Sequence, residues 1–185
     1  MAFGSGSMDV LDGLEPKVLV PLVMSVDELD DLLKTSADVV VADVRWYLDG
    51  RDARSIFQQG HLSGAVFIDV DDDLSQPSTP TAGRHPLPSP EHFARAMGRL
   101  GIGDDTHVIA YDDTGGMTAG RLVVMLRALG RQASLLDGGI GAWTTSERTL
   151  EQGSVTASQR RAFTRSEEHT SELQSRQYLV CRLLL

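Results

Sequence analysis

His107–Gly130 reads HVIAYDDTGGMTAGRLVVMLRALG. Its first five residues are apolar or β-branched and suit a strand buried on both faces. Asp112–Met117 (DDTGGM) carries the paired glycines of a tight loop, and Thr118–Gly130 has the composition of a helix running back from that loop. A strand that turns through such a loop into a helix brings backbone N–H groups from loop and helix onto one point. That point favours an anion.

The pattern repeats on either side. Short apolar runs at Leu22–Met24, Val39–Val44, Ala65–Val70 and Ala133–Leu136 read as further strands. Helices are expected between them. Ser25 and Glu28 form a capping box before VDELDDLL, and Asp52–Gln59, Ser89–Leu100 and a short Gly139–Trp143 turn follow. Alternation of this kind predicts an α/β domain: a central parallel sheet of about five strands with helices on both faces. Ser75–Pro90 holds five of the seven prolines and is expected to be a surface loop. Trp46 and Trp143 read as packing residues, and His85 and His92 as exposed side chains without partners.

The chain has 185 residues, 41% of them hydrophobic, enough for one domain with a real core. Lys+Arg number 17 against 26 Asp+Glu, a formal charge of −9, and the lysines are only Lys17 and Lys34. Such a balance argues against nucleic acid and against an anionic membrane surface as partners. No apolar run approaches a membrane span and Met1–Leu19 lacks the features of a secretory leader, so a cytoplasmic address is expected. A single cysteine, Cys181, forms neither an internal disulfide nor a cysteine-based metal site, and no cofactor or metal is expected.

Four regions are expected: an extension over 1–21, a folded unit over 22–149, the start of a linker over 150–164, and a tail over 165–185. The tail, RSEEHTSELQSRQYLVCRLLL, breaks with what precedes it. Back-translated, Arg165–Ser175 fits the read-through of a short-read sequencing adapter, so the tail is set aside as foreign. The natural protein is then expected to continue past residue 164.

Several ordered motifs carry a family resemblance: DVRWYLDGRDAR (Asp43–Arg54), GHLSGAVFIDVD (Gly60–Asp71), the run Leu87–Asp113, and LLDGGIGAW (Leu135–Trp143). Across Leu22–Trp143 the chain resembles the rhodanese-type sulfurtransferases, in particular the amino-terminal domain of the tandem thiosulfate and 3-mercaptopyruvate enzymes. The resemblance implies a rhodanese fold and a parent activity that moves sulfur from a small anionic donor to cyanide or a thiol. It also implies a catalytic cysteine at the start of the Asp112–Met117 loop, where a cradle of amides would lower its pKa. Here that position is held by Asp112 or Asp113, followed by Thr114, Gly115, Gly116 and Met117. A carboxylate cannot carry sulfane sulfur. The expectation is therefore a non-catalytic first domain whose partner in cis is a cysteine-bearing second domain. By the same resemblance Asp52 and His61 are candidates for lining the interdomain cleft; read locally, Asp52 caps a helix and His61 a turn.

Two other classes compete. A single inactive domain of this type would act as a binding or regulatory module. AVFIDVDDDL and HVIAYDD, each a strand ending in acids, suggest instead a magnesium-dependent phosphatase of the haloacid-dehalogenase type. That chemistry needs a lysine between the acidic motifs, and both lysines precede them. DVDDD also lacks the glycine and terminal acid of a calcium loop.

Overall fold

The computed structural model describes residues 20–36, 38–155 and 161–164. Most of the 1–21 extension and the whole 165–185 tail, Cys181 included, lie outside the described residues. Within them the elements run β1 (Val23–Met24), α1 (Val26–Thr35), β2 (Val39–Asp43), α2 (Ala53–Gln59), β3 (His61–Leu62), β4 (Val66–Phe67), α3 (Pro90–Arg99), β5 (His107–Tyr111), α4 (Ala119–Ala128), β6 (Ala133–Leu136), α5 (Gly139–Thr145) and β7 (Leu150–Glu151).

The expected five-stranded sheet is present, ordered β1-β6-β5-β2-β4, with each neighbouring pair parallel. Because successive strand residues face opposite ways, β2 and β5 feed two cores at once. Ala42, Val108 and Ala110 pack under α3 and α4, with Phe93, Met97, Leu122 and Leu126. Val41, Ile109 and Tyr111 pack on the other face, under α1, α2 and α5, with Leu29, Phe57 and Trp143. Helices thus cover both faces.

Helix starts follow the chemistry of their caps. Ser25 accepts from the Glu28 N–H while Glu28 accepts from the Ser25 N–H, completing the capping box. Ser89 caps α3 with a proline in the first turn. The run Ala65–Val70 pairs as a strand only at Val66–Phe67. Ile68 still donates to the Asp43 carbonyl, but at Asp69 a turn begins: its carboxylate accepts from the Asp71 and Asp72 N–H groups. A short antiparallel ladder, His61–Leu62 against Leu150–Glu151, closes the α2 side.

The proline-rich segment is anchored at its base. Arg121 of α4 donates to the Leu74, His85 and Pro86 carbonyls. His85 accepts no exposed role: its Nε2 lies 2.9 Å from Asp71 Oδ1 and its ring meets Trp46 edge-on, while His92 reaches the Asp72 carbonyl. Both histidines are half-buried and partnered, because the turn after Asp69 folds its acids and carbonyls back toward them. Arg121→Ala removes the anchor. Limited trypsinolysis of that variant is expected to cut first at Arg84, several-fold faster than in the parent, with a stability loss of about 1–2 kcal/mol.

Arg161–Thr164 packs back on the domain. Phe163 is buried edge-on against Phe93, Arg161 N–H donates to the Gly98 carbonyl, and Thr164 N–H donates to Asp104. A side chain at Gly98 would stand 2.6 Å from the Arg161 carbonyl oxygen, so the close approach needs that glycine. No helix among the described residues is long and apolar enough to cross a membrane.

Candidate functional site

In parallel α/β sheets, side chains that do chemistry collect where the strands end. Here β2 and β5 lie side by side, and the loops after both meet at one end of the sheet. The loop after β5 is organised around a single carboxylate. Asp112 is buried; its Oδ1 accepts from the Thr114 and Gly116 N–H groups at 2.9 and 2.8 Å. Its Oδ2 accepts from the Thr118 and Ala119 N–H groups at 2.9 and 3.0 Å and from the Thr118 hydroxyl at 3.0 Å. The amide cradle formed by loop and helix start is therefore filled by the chain's own anion. Burial alone would raise the Asp112 pKa, but the N–H groups of Ala119, Gly116, Thr114 and Thr118 outweigh it and hold the carboxyl below its ordinary range.

The neighbouring acid faces elsewhere. Asp113 Oδ2 accepts from the Tyr47 hydroxyl at 2.6 Å, tying the loop after β5 to the loop after β2. Burial and then this carboxylate push the Tyr47 phenol up to about 12. Arg51 lies 3.8 Å over the Tyr47 ring and pairs with Asp49. Sequence alone left Asp112 and Asp113 interchangeable; in the fold Asp112 occupies the cradle and Asp113 holds the tyrosine.

The main chain of Asp112 is clamped as well. Its carbonyl accepts from Ile140 N–H at the start of α5, and Gly139, with φ +54°, comes so close that an added side chain would meet that oxygen at 2.1 Å. Gly139→Ala must displace the loop or the helix. A loss of about 2–3 kcal/mol is expected in urea unfolding, from the clash and the left-handed backbone together.

Beneath the loops sits a buried ionic group that sequence reading did not single out as a unit. Arg45 is bidentate on Asp43, with its shortest contact at 2.6 Å, and also donates to the Gly60 carbonyl. Tyr111 donates its hydroxyl to Asp43 Oδ2 at 2.7 Å and accepts from Leu62 N–H. Burial, then the Asp43 charge and hydrogen bond, drive the Tyr111 phenol far above its ordinary range. The spacing Asp-x-Arg within DVR was the available signal, but only the fold reveals that both ends are buried.

Asp52 is exposed and caps α2, accepting from Arg54 N–H, Ser55 N–H and the Ser55 hydroxyl. The Ser55 contacts, the hydroxyl first, hold its carboxyl below the ordinary range. His61 lies fully buried at the other end of α2, stacked on Phe57 at 3.9 Å, with Nδ1 2.8 Å from the Phe57 carbonyl and Nε2 lacking a partner. Asp52 and His61 thus flank one short helix, one in solvent and one in the core. Among the described residues no group of three or more His, Cys, Asp and Glu side chains is placed to hold a metal. Three acids of DVDDD are taken up, Asp69 by the turn, Asp71 by Trp46 and His85, and Asp73 by Arg99, while Asp72 is exposed.

Comparison with known proteins bears on this geometry. The family profile described as Rhodanese-like domain matches residues 25–146. Human 3-mercaptopyruvate sulfurtransferase is 46% identical over 116 residues, which cover 60% of this chain and 38% of that protein. The Escherichia coli K12 protein of the same name is 38% identical over 122 residues, covering 64% of this chain and 42% of that protein. The crystal structure of SseA from Escherichia coli, described as a 3-mercaptopyruvate sulfotransferase, superposes with a TM-score of 0.70 at 31% identity, over 80% of this chain and 56% of that one. The chain spans less than half the length of these curated relatives.

Proposed function

The chain belongs to the rhodanese-like family, and on that premise we propose that it is the non-catalytic first domain of a sulfurtransferase that draws sulfur from thiosulfate or 3-mercaptopyruvate and delivers it to cyanide or a thiol. One observation supports this reading above all: the Asp112 carboxylate fills the cradle in which an active member would carry its thiolate. A persulfide needs a sulfur nucleophile with the loop amides free to stabilise the anionic sulfur. Here the amides are engaged, and the side chain engaging them is hard, anionic and unable to hold sulfane sulfur. In the two-domain enzyme the cysteine is then supplied by the second domain in cis, and this domain contributes the rigid loop face against which the donor is held. Asp52, exposed at the start of α2, belongs to this reading as a cleft candidate; His61, proposed with it, is fully buried against Phe57 and would act on the cleft only through that packing.

The test uses the chain ended at Thr164. With thiosulfate or 3-mercaptopyruvate and cyanide, no thiocyanate above the blank is expected, and intact-mass spectra are expected to show no added sulfur. Sulfur carried on that preparation would overturn the assignment. The same preparation is expected to release no phosphate from a generic ester with magnesium, since the acids a phosphatase would use are committed to the cradle, to Tyr47 and to the turn after Asp69.

A further inference from the structure

A groove of about 650 Å3 runs along α3, walled on one side by the turn after Asp69 and on the other by Arg161 and Phe163. None of the loops after β2 and β5 lines it. Ala94 and Phe163 give it apolar surface, and most of the remaining lining is charged. Those charges fall into two groups. Arg99 is paired with the buried Asp73, and Arg161 with Asp38, so both guanidinium groups are already compensated. Arg95 and Asp72 are exposed, and among the described residues neither the Arg95 guanidinium nor the Asp72 carboxylate has an ion-pair partner. Only the main chain of Asp72 is engaged: its N–H donates to Asp69, and its carbonyl lies against His92 Nε2. The second contact fixes Asp72 beside the first turn of α3. Arg95 stands one turn further along, three residues on from His92. One uncompensated charge of each sign therefore sits on the same groove, the two displaced along the helix axis.

Opposite charges placed in this way are self-complementary. A two-fold axis crossing α3 between His92 and Arg95 lays the helix antiparallel to its image and sets Arg95 of each copy toward Asp72 of the other. A small anion fits the same lining badly, because the guanidinium groups of Arg95, Arg99 and Arg161 are balanced by the carboxylates of Asp72, Asp73 and Asp38. A partner of a single sign would likewise meet one like charge for each opposite one. We infer that this groove is a docking surface for a second copy of the chain, joined α3 to α3 through Arg95 and Asp72.

The net charge of −9 on each copy opposes association in general, but at physiological salt it is screened beyond about 8 Å, so the contacts at the interface decide. The far wall of the groove is ordered in advance. Phe163 is held edge-on against Phe93, and Arg161 N–H donates to the Gly98 carbonyl, so a partner meets a surface already in place. The face is small. α3 has ten residues, about 15 Å of helix, which puts the contact at the low end of specific interfaces and makes the dimer weak and reversible.

The experiment is sedimentation equilibrium of the full chain at neutral pH, under reducing conditions so that Cys181 bridges no two copies. A monomer–dimer equilibrium with a dissociation constant on the order of 10–100 μM is expected. Arg95→Asp and Asp72→Arg each set like charges together twice across the axis, and each is expected to weaken the dimer about tenfold. Mixed in equal amounts, the two variants are expected to return close to the parent affinity, since both contacts between the unlike chains then join opposite charges. A chain still monomeric about tenfold above that concentration range overturns the proposal. So does a dimer that neither substitution weakens, or a mixture as weak as its components. Both positions are exposed, so melting temperatures are expected to match the parent. Where a charge-reversed chain melts early, Arg95→Ala takes its place and is expected to weaken the dimer about fivefold. An unchanged dissociation constant in that variant overturns the proposal as well.

Discussion

Asp112→Ala is expected to lose about 4–5 kcal/mol in urea unfolding at pH 7, since it leaves the N–H groups of Thr114, Gly116, Thr118 and Ala119 aimed at an empty, buried point. Four donors without an acceptor cost more than any one hydrogen bond contributes, because each was desolvated on the assumption of a partner. Asp112→Asn keeps one acceptor oxygen but turns an amide NH2 toward N–H groups, and is expected to lose about half as much. The wild-type chain should show the matching pH dependence. The folded-state pKa of Asp112 is held below the unfolded value, so its contribution is fully present above that unfolded value, near pH 4, and is lost as pH falls through the folded pKa. A urea midpoint that falls less steeply with acid in Asp112→Asn than in the parent would confirm the sign. An Asp112→Ala variant as stable as the parent would show that the cradle is not held together by its internal anion.

Arg45→Ala is expected to cost about 3–5 kcal/mol, measured the same way, by stranding the fully buried Asp43 carboxylate with only the Tyr111 hydroxyl and the Arg45 N–H as nearby donors. Arg45→Met is the informative companion. It restores volume without charge, so the difference between the two variants separates lost packing from the unpaired carboxylate. Tyr111→Phe is expected to cost about 1–2 kcal/mol, because it removes one donor to Asp43 and the acceptor of Leu62 N–H. These three residues connect β2, β5 and β3. Their coupling should appear in a double-mutant cycle between Arg45 and Tyr111, with a non-additive term of 1 kcal/mol or more.

Much of this molecule is readable from residue chemistry. Ser25 with Glu28, and Ser89 before Pro90, announce helix starts because the cap is made by neighbours three residues apart. The strands of the main sheet show as β-branched apolar runs because both their faces are covered. What escaped is long-range. His61–Leu62 and Leu150–Glu151 pair across nearly half of the chain, and two residues carry no period. Likewise Ala65–Val70 has the composition of a strand throughout, yet Asp69 takes the chain into a turn after two paired residues.

The candidate site was half legible. Paired glycines after a buried strand foretell a loop that gathers amides, and the family resemblance supplies what such a loop normally holds. Which of two adjacent acids enters the cradle depends on the φ values of Gly115 and Gly116 and on the clamp from Gly139 and Ile140, and no local pattern encodes that register. The same holds for His85 and His92, whose partners are set by how the turn after Asp69 folds beneath the proline-rich segment.

The contact between Gly98 and Arg161 bears on where this unit ends. The family match stops at residue 146, but Leu150–Glu151 closes a ladder and Phe163 completes the packing around Phe93. A gene fragment cut at the homology boundary would leave an aromatic side chain of α3 facing water and a ladder without its second strand. Its amide protons should exchange faster throughout α3. For anyone preparing the domain, the sensible stop codon follows Thr164.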